Sequence, residues 1–222
     1  MTIPNLVIFD MDGILFDTER IFLDIRYQVM EEFGFHQTFS EYIKLLGTSG
    51  QTANEIIYQQ YRKDFPAEEL FQITRKKMNR YIDLHGLKPK LGILSLLLWL
   101  NSKKIPCCIA TSTDKTIAEK YVLISGIRDY FQFIIGAGDF IKSKPDPEIF
   151  LRCAANFKVA AEHCLVIEDS QNGIKAAHDG NLPVVCIPDM QYPDRESIKY
   201  CLAIFNDGIE LLSYLKELSQ NE

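Results

Sequence analysis

A chain of 222 residues can bury a sizeable core and suits one domain with an insertion, or two modest domains. Hydrophobic residues at 47% and charged residues at 24% exclude a disordered chain, and a net charge of -6 sets it against a nucleic-acid partner, whose phosphates it would repel. The longest apolar stretch, residues 91–100, is too short to span a bilayer, so no membrane partner is expected. The first residues, Met1-Thr2-Ile3-Pro4-Asn5, lack the basic start of a secretory signal, which makes a cytoplasmic location the expectation. The six cysteines, Cys107, Cys108, Cys153, Cys164, Cys186 and Cys201, show neither metal-site nor redox-pair spacing and are expected to be reduced.

In chain order, residues 6–9 form a short apolar run that predicts a buried strand. Residues 17 to 86 then carry no convincing strand and read as helices throughout. One runs from Thr18 to about Phe33 and stops at Gly34; a second starts at Thr52, where Thr52-Ala53-Asn54-Glu55 fits a capping box. A third follows Pro66, with Leu70, Ile73, Met78, Tyr81 and Ile82 at helical spacing. Residues 91–100 predict a helix packed on a sheet. From there strands at 105–110, 131–135, 164–167, 183–187 and 203–205 alternate with helices at 114–125, 147–156 and 171–179. Strand alternating with helix predicts an α/β fold with a doubly wound, mainly parallel, Rossmann-like sheet. The all-helical block reads as an inserted cap domain over 17–87, leaving 1–16 and 88–222 as the α/β core.

The residue types at the strand ends point to one chemistry. The strand 6–9 runs into Asp10-Met11-Asp12-Gly13, two carboxylates spaced two apart at the edge where open α/β sheets bind ligands. A second acidic pair, Glu168-Asp169, ends another buried strand and precedes Ser170. Converging strand ends would let Asp10, Asp12, Glu168 and Asp169 surround one site, and hard oxygen donors suit Mg2+. Thr111-Ser112-Thr113 is a hydroxyl cluster that reads as a helix opening, where backbone N–H groups bind anions. Lys144, in Ser143-Lys144-Pro145-Asp146-Pro147, supplies a cation from a rigid loop. Taken singly, each has a plainer reading: a solvated Asp turn, a helix cap, a surface lysine. Together they make up a set for phosphoryl transfer, which depends on positioning and charge stabilisation.

These four motifs in order resemble the haloacid-dehalogenase superfamily of phosphohydrolases. Phe16-Asp17-Thr18-Glu19, Lys144-Pro145-Asp146-Pro147 and Glu168-Asp169-Ser170 resemble its β-phosphoglucomutase-like branch, which also carries a helical cap after the first motif. The resemblance implies that Asp10 attacks phosphorus to form a phosphoaspartate and that Asp12 protonates the leaving oxygen and then activates water. It implies Mg2+ held by Asp10, the Asp12 carbonyl and Asp169, with Glu168 supporting. It further implies that Thr111 and Ser112 meet the phosphoryl group, that Lys144 offsets charge, and that the cap loop Thr48-Ser49-Gly50-Gln51 contacts substrate.

The function expected is an Mg2+-dependent phosphatase of a small phosphorylated metabolite, acting as a monomer or weak homodimer. A sugar-phosphate mutase is the rival with the same chemistry. The mutases of this branch carry a cap-helix histidine, where this chain has Phe22, and a cap-loop arginine, where it has Gly50-Gln51. A phosphorylatable switch protein is a more distant rival, and the roughly 70-residue cap is not something a plain switch needs.

Overall fold

The computed structural model describes residues 2–46, 50–61 and 65–220, and for residues 50–54 the backbone alone. The chain separates into two compact units, one of Met1–Asp17 with Leu87–Glu222 and one of Thr18–Gly86.

The first unit is built on six parallel strands: β1 (Leu6–Phe9), β2 (Cys107–Asp114), β3 (Phe133–Ala137), β4 (Cys164–Glu168), β5 (Val184–Cys186) and β6 (Ala203–Ile204). Their order across the sheet is β3-β2-β1-β4-β5-β6. The progression reverses beside β1, which pairs with β2 on one side and β4 on the other. The carboxyl end of β1 therefore opens at the switch point where helices depart to opposite faces, leaving a crevice. All four residues of β1 are fully buried, as a strand covered on both faces requires. Leu6 and Ile8 join Cys108, Cys164, Val166 and Val184 in one apolar cluster with Ile149, Phe150 and Ile174 from the covering helices. All six cysteines are free thiols, and five of them are buried.

The second unit holds α1 (Thr18–Glu32), α2 (Phe39–Ile43), α3 (Gly50–Gln60) and α4 (Ala67–His85). Helix α4 buries Leu70, Thr74, Met78 and Ile82, one residue per turn, and α1 packs on it through a face that includes Leu23, Val29 and Met30. Helix α3 begins at Gly50, two residues before the start read from the sequence, so Thr52 is not its cap. The capping box of this unit lies at Thr38, whose hydroxyl accepts from the Glu41 N–H while the Glu41 carboxylate accepts from the Thr38 N–H.

The helices of the first unit are α5 (Ile93–Ser102), α6 (Lys115–Ile124), α7 (Glu148–Phe157), α8 (Gln171–Asp179), α9 (Arg195–Ile198) and α10 (Gly208–Leu218). In α5 the buried residues Ile93, Leu96, Leu97 and Leu100 form a single stripe, while Leu94 and Leu98 face out. The run 111–113 corrects the sequence reading. These residues continue β2 through an irregularity in its pairing with β3, and α6 opens only at Lys115. Asp114 caps it by accepting from the Thr116 and Ile117 N–H groups, at 2.8 and 3.3 Å. Asp114→Ala is expected to lower stability by about 1 kcal/mol, read as a fall in thermal midpoint of roughly 2–4 °C.

Candidate active site

The backbone places the end of β1 directly against β4. The Asp10 N–H donates to Ile167 O at 3.0 Å, so Asp10 continues the ladder one residue past the strand and enters the crevice beneath its neighbours. The chain then turns back on itself within seven residues. Leu15 and Phe16 both donate to Met11 O, and Gly13 donates to Phe16 O at 2.9 Å. Gly13 has φ +85°, and a side chain there would run into the Asp169 carboxylate and the Cβ of Asp189. Only glycine lets the first acidic loop pass this close to the second.

Lys144 ties three strands together. Its ammonium donates to Asp10 Oδ1 at 2.5 Å, to Glu168 Oε1 at 2.5 Å and to Ala110 O at 3.2 Å. These are the ends of β1 and β4 and the middle of β2, and they use all three ammonium donors. Its side chain is 7% exposed, and the Phe150 ring lies 4.9 Å away on the apolar side. Burial alone would pull this lysine down, but Asp10 and Glu168 beside it more than reverse that and hold it above the usual lysine range.

Glu168 is fully buried and has partners on both oxygens. Oε1 accepts from Lys144, while Oε2 accepts from the Asp169 and Ser170 N–H groups and from the Ser170 hydroxyl, each at 2.9 Å. Ser170 in turn caps α8 by accepting from Gly173 N. Asp12 faces β2, where its Oδ2 accepts from Thr113 Oγ1 at 2.7 Å and from Thr111 Oγ1 at 3.3 Å. Thr111 is fully buried and Thr113 nearly so, on the same face of the strand. Ser112, between them, points outward and is exposed.

The sequence therefore anticipates Asp10, Asp12, Thr111, Lys144, Glu168 and Asp169, and the structure brings all six to one sheet edge. Thr48 and Ser49 lie outside the described residues, and of Gly50 and Gln51 the backbone alone is described. The sequence reading names Thr113 only within a hydroxyl cluster and does not place Lys90 or Asp189 at the site. Thr113 was legible, because alternation along a strand puts it beside Thr111 once β2 is extended. The pair Lys90–Asp189, with Lys90 Nζ 2.6 Å from Asp189 Oδ1, joins residues 99 apart, and no local signal announces it.

The charge balance of this edge is negative. Burial pushes the Asp10 carboxyl up to about 8, with Lys144 pulling the other way and Glu168 and Asp12 adding to the rise. Asp169 is raised well above the usual carboxylate range, first by burial and then by Glu168, Asp10 and Asp189. The ammonium groups of Lys144 and Lys90 face a larger number of close carboxylates, all oxygen donors, which fits a hard divalent cation. Among the described residues, no three His, Cys, Asp or Glu side chains are disposed as a complete metal cage. Asp12 and Glu168 are turned to other partners, which leaves Asp10 and Asp169 as side-chain donors. A Mg2+ ion held by one or two carboxylates, a carbonyl and substrate phosphate suits that arrangement. A separate open hollow of about 390 Å³ is lined by Lys142, Asp146, Glu148, Leu151 and Arg152 on α7 and the loop before it. Its charges neutralise one another, Arg152 with Glu148 and Lys142 with Asp146.

The sequence matches the family model described as haloacid dehalogenase-like hydrolase over residues 7–187. A phosphorylated carbohydrates phosphatase of Thermotoga maritima is 30% identical over 178 residues, 79% of this chain and 81% of that one. A fructose-1-phosphate phosphatase of Escherichia coli is 27% identical over 179 residues, 81% of this chain and 94% of that one. Among solved structures, a β-phosphoglucomutase from Clostridium difficile is similar with a TM-score of 0.73 and 26% identity, covering 100% of this chain and 98% of that one. Among the described residues, no helix is long and apolar enough to cross a membrane.

Proposed function

Since the chain belongs to the haloacid dehalogenase-like hydrolases and is a phosphoric monoester hydrolase, we propose that it is a Mg2+-dependent phosphatase of small phosphorylated sugars, with Asp10 as nucleophile. The observation that carries this reading is the ammonium of Lys144 gripping one oxygen of Asp10 at the sheet's switch point. With Oδ1 held by Lys144, Oδ2 is the oxygen left to attack phosphorus. Burial and the neighbouring carboxylates raise Asp10 to about 8 in spite of Lys144, so a divalent cation beside it would be what holds the nucleophile in its anionic form.

The Asp10 oxygen forms a bond to phosphorus as the bond to the sugar oxygen breaks, giving an aspartyl phosphate. Asp12, two residues on, delivers the proton that the departing alkoxide needs and then takes one from the water that attacks phosphorus, as the bond from Asp10 to phosphorus breaks, phosphate leaves and the Asp10 carboxylate is restored. Thr113 holds the Asp12 carboxylate firmly at 2.7 Å. The longer 3.3 Å bond from Thr111 leaves that hydroxyl free to turn to a phosphoryl oxygen, with the exposed Ser112 beside it. Glu168 acts as a positioning residue, fixing Lys144 on one oxygen and the turn into α8 on the other. Mg2+, held by Asp10, Asp169 and the Asp12 carbonyl, would neutralise charge on the transferring phosphoryl group. The unit Thr18–Gly86 serves as a cap that selects the leaving group.

Phe22 favours hydrolysis over the mutase reading. It packs against Tyr42 and Phe71, with the Arg75 guanidinium 5.8 Å from its ring, so an apolar side chain stands where the mutases carry histidine. Phosphate release from a panel of sugar phosphates is expected with Mg2+ and is expected to fall to background after chelation, returning when Mg2+ is restored. Isomerised ester in place of free phosphate would establish the mutase instead, and metal-independent turnover would defeat the proposal.

A further inference from the structure

The loop that follows β5 brings another carboxylate to the acidic edge. Ile187 N donates to Glu168 O at 2.9 Å, which pins this loop to the end of β4 and sets Asp189 two residues later over Gly13. A Cβ on Gly13 would lie 2.8 Å from Asp169 Cγ and 3.3 Å from Asp189 Cβ, so both aspartates border the same glycine, and the charge of Asp189 is close enough to raise Asp169. The Asp189 side chain is 2% exposed, and such a carboxylate is not buried without a charged partner. That partner is Lys90, 17% exposed, at 2.6 Å. Lys90 also lies 3.2 Å from Asp17, which is half exposed and contributes a screened charge. Its own N–H donates to Leu15 O at 2.8 Å, which anchors it beneath the Asp10–Phe16 turn.

We propose that Asp189 is an outer carboxylate of the divalent-cation site, strengthening the hold of Asp169 on the ion, and that Lys90 sets how strongly it does so. This inference rests on the cation site proposed above. In this role Asp189 acts through Asp169 and not on the phosphoryl group itself. It contributes negative potential through a buried, water-poor path, where a charge acts over several ångströms with little screening. Lys90 cancels part of that potential, which keeps the site from holding its ion too tightly for phosphate to leave.

The two partners must then act with opposite sign, which a purely structural pair would not do. Titration calorimetry of Mg2+ into metal-free full-length protein measures this without turnover. Asp189→Asn is expected to weaken Mg2+ binding about tenfold and Lys90→Met to tighten it about tenfold, while the double variant returns near wild type. Lys90→Arg, which keeps the charge, is expected to stay near wild type. If Lys90→Met does not fold, Asp189→Asn and the double variant make the same comparison. Wild-type protein that binds no Mg2+ would overturn the cation site together with this inference. Wild-type binding with both single variants unchanged, or shifted in the same direction, would overturn this inference alone.

Discussion

Asp10→Asn is expected to lower phosphate release by on the order of 10⁴-fold, the scale seen when a nucleophile or its activating partner is removed. An amide oxygen still accepts the Lys144 hydrogen bond, so the geometry at the ends of β1 and β4 should survive. The amide cannot displace the sugar oxygen, and no aspartyl phosphate forms. Stability should not suffer. Asp10 carries its charge against burial and against Glu168 and Asp12, so a neutral side chain relieves an unfavourable cluster. The thermal midpoint without metal is therefore expected to equal or exceed that of the parent. Steady-state phosphate release and a circular-dichroism melt check the two halves independently. Activity within about tenfold of the parent would remove Asp10 from the role of nucleophile.

The order of legibility follows how local each signal is. The run Leu6–Phe9 ending in Asp10-Met11-Asp12-Gly13 contains its own strand, its exit and its acids within eight residues, so composition alone exposes it. Cys164–Glu168 followed by Asp169-Ser170 does the same for the second acidic loop. Lys144 was legible as one member of a set, although nothing near it in sequence states that it would bridge two carboxylates. Where the reading went wrong, competing local rules were close in strength. Thr111-Ser112-Thr113 contains good capping residues, and the decisive one, Asp114, stands immediately after them, where its carboxylate takes the first helical N–H groups. The extra strand length comes from pairing with β3, resumed at Asp114, while Thr111 and Thr113 turn inward to Asp12, a tertiary effect that hydroxyl-rich composition conceals. At Thr52 the box pattern was present, but the helix already ran through it, and Thr38 with Glu41 used the same device one loop earlier. Lys90 with Asp189 needs the linker after the helical unit and the loop after β5 to meet, which only the folded sheet arranges.

The same dependence on distant partners makes Lys144 the most sensitive position for stability. Lys144→Met keeps a long unbranched side chain and removes the charge, its three hydrogen bonds and the contact of the ammonium with the Phe150 ring. Asp10 Oδ1 and Glu168 Oε1 then face each other without a cation in a place almost closed to water. Removing one partner of a buried ionic cluster costs about 3–5 kcal/mol, because the charges left behind cannot be solvated. Proton uptake is the only local relief, and a protonated Asp10 cannot attack phosphorus, so the loss of stability and the loss of turnover share one cause. Denaturant melts should show the loss, and phosphate release should fall together with it. Lys144→Arg separates charge from shape: a planar guanidinium restores a positive charge but cannot place three donors on β1, β2 and β4 at once. It is expected to recover part of the stability and little of the rate. Adding Glu168→Gln to Lys144→Met removes one of the two stranded carboxylates and should make the double variant more stable than the single one. If the double variant were instead the less stable, the cost would lie in the Ser170 and Asp169 hydrogen bonds of Glu168 and not in uncompensated charge, because those bonds are what the glutamine weakens.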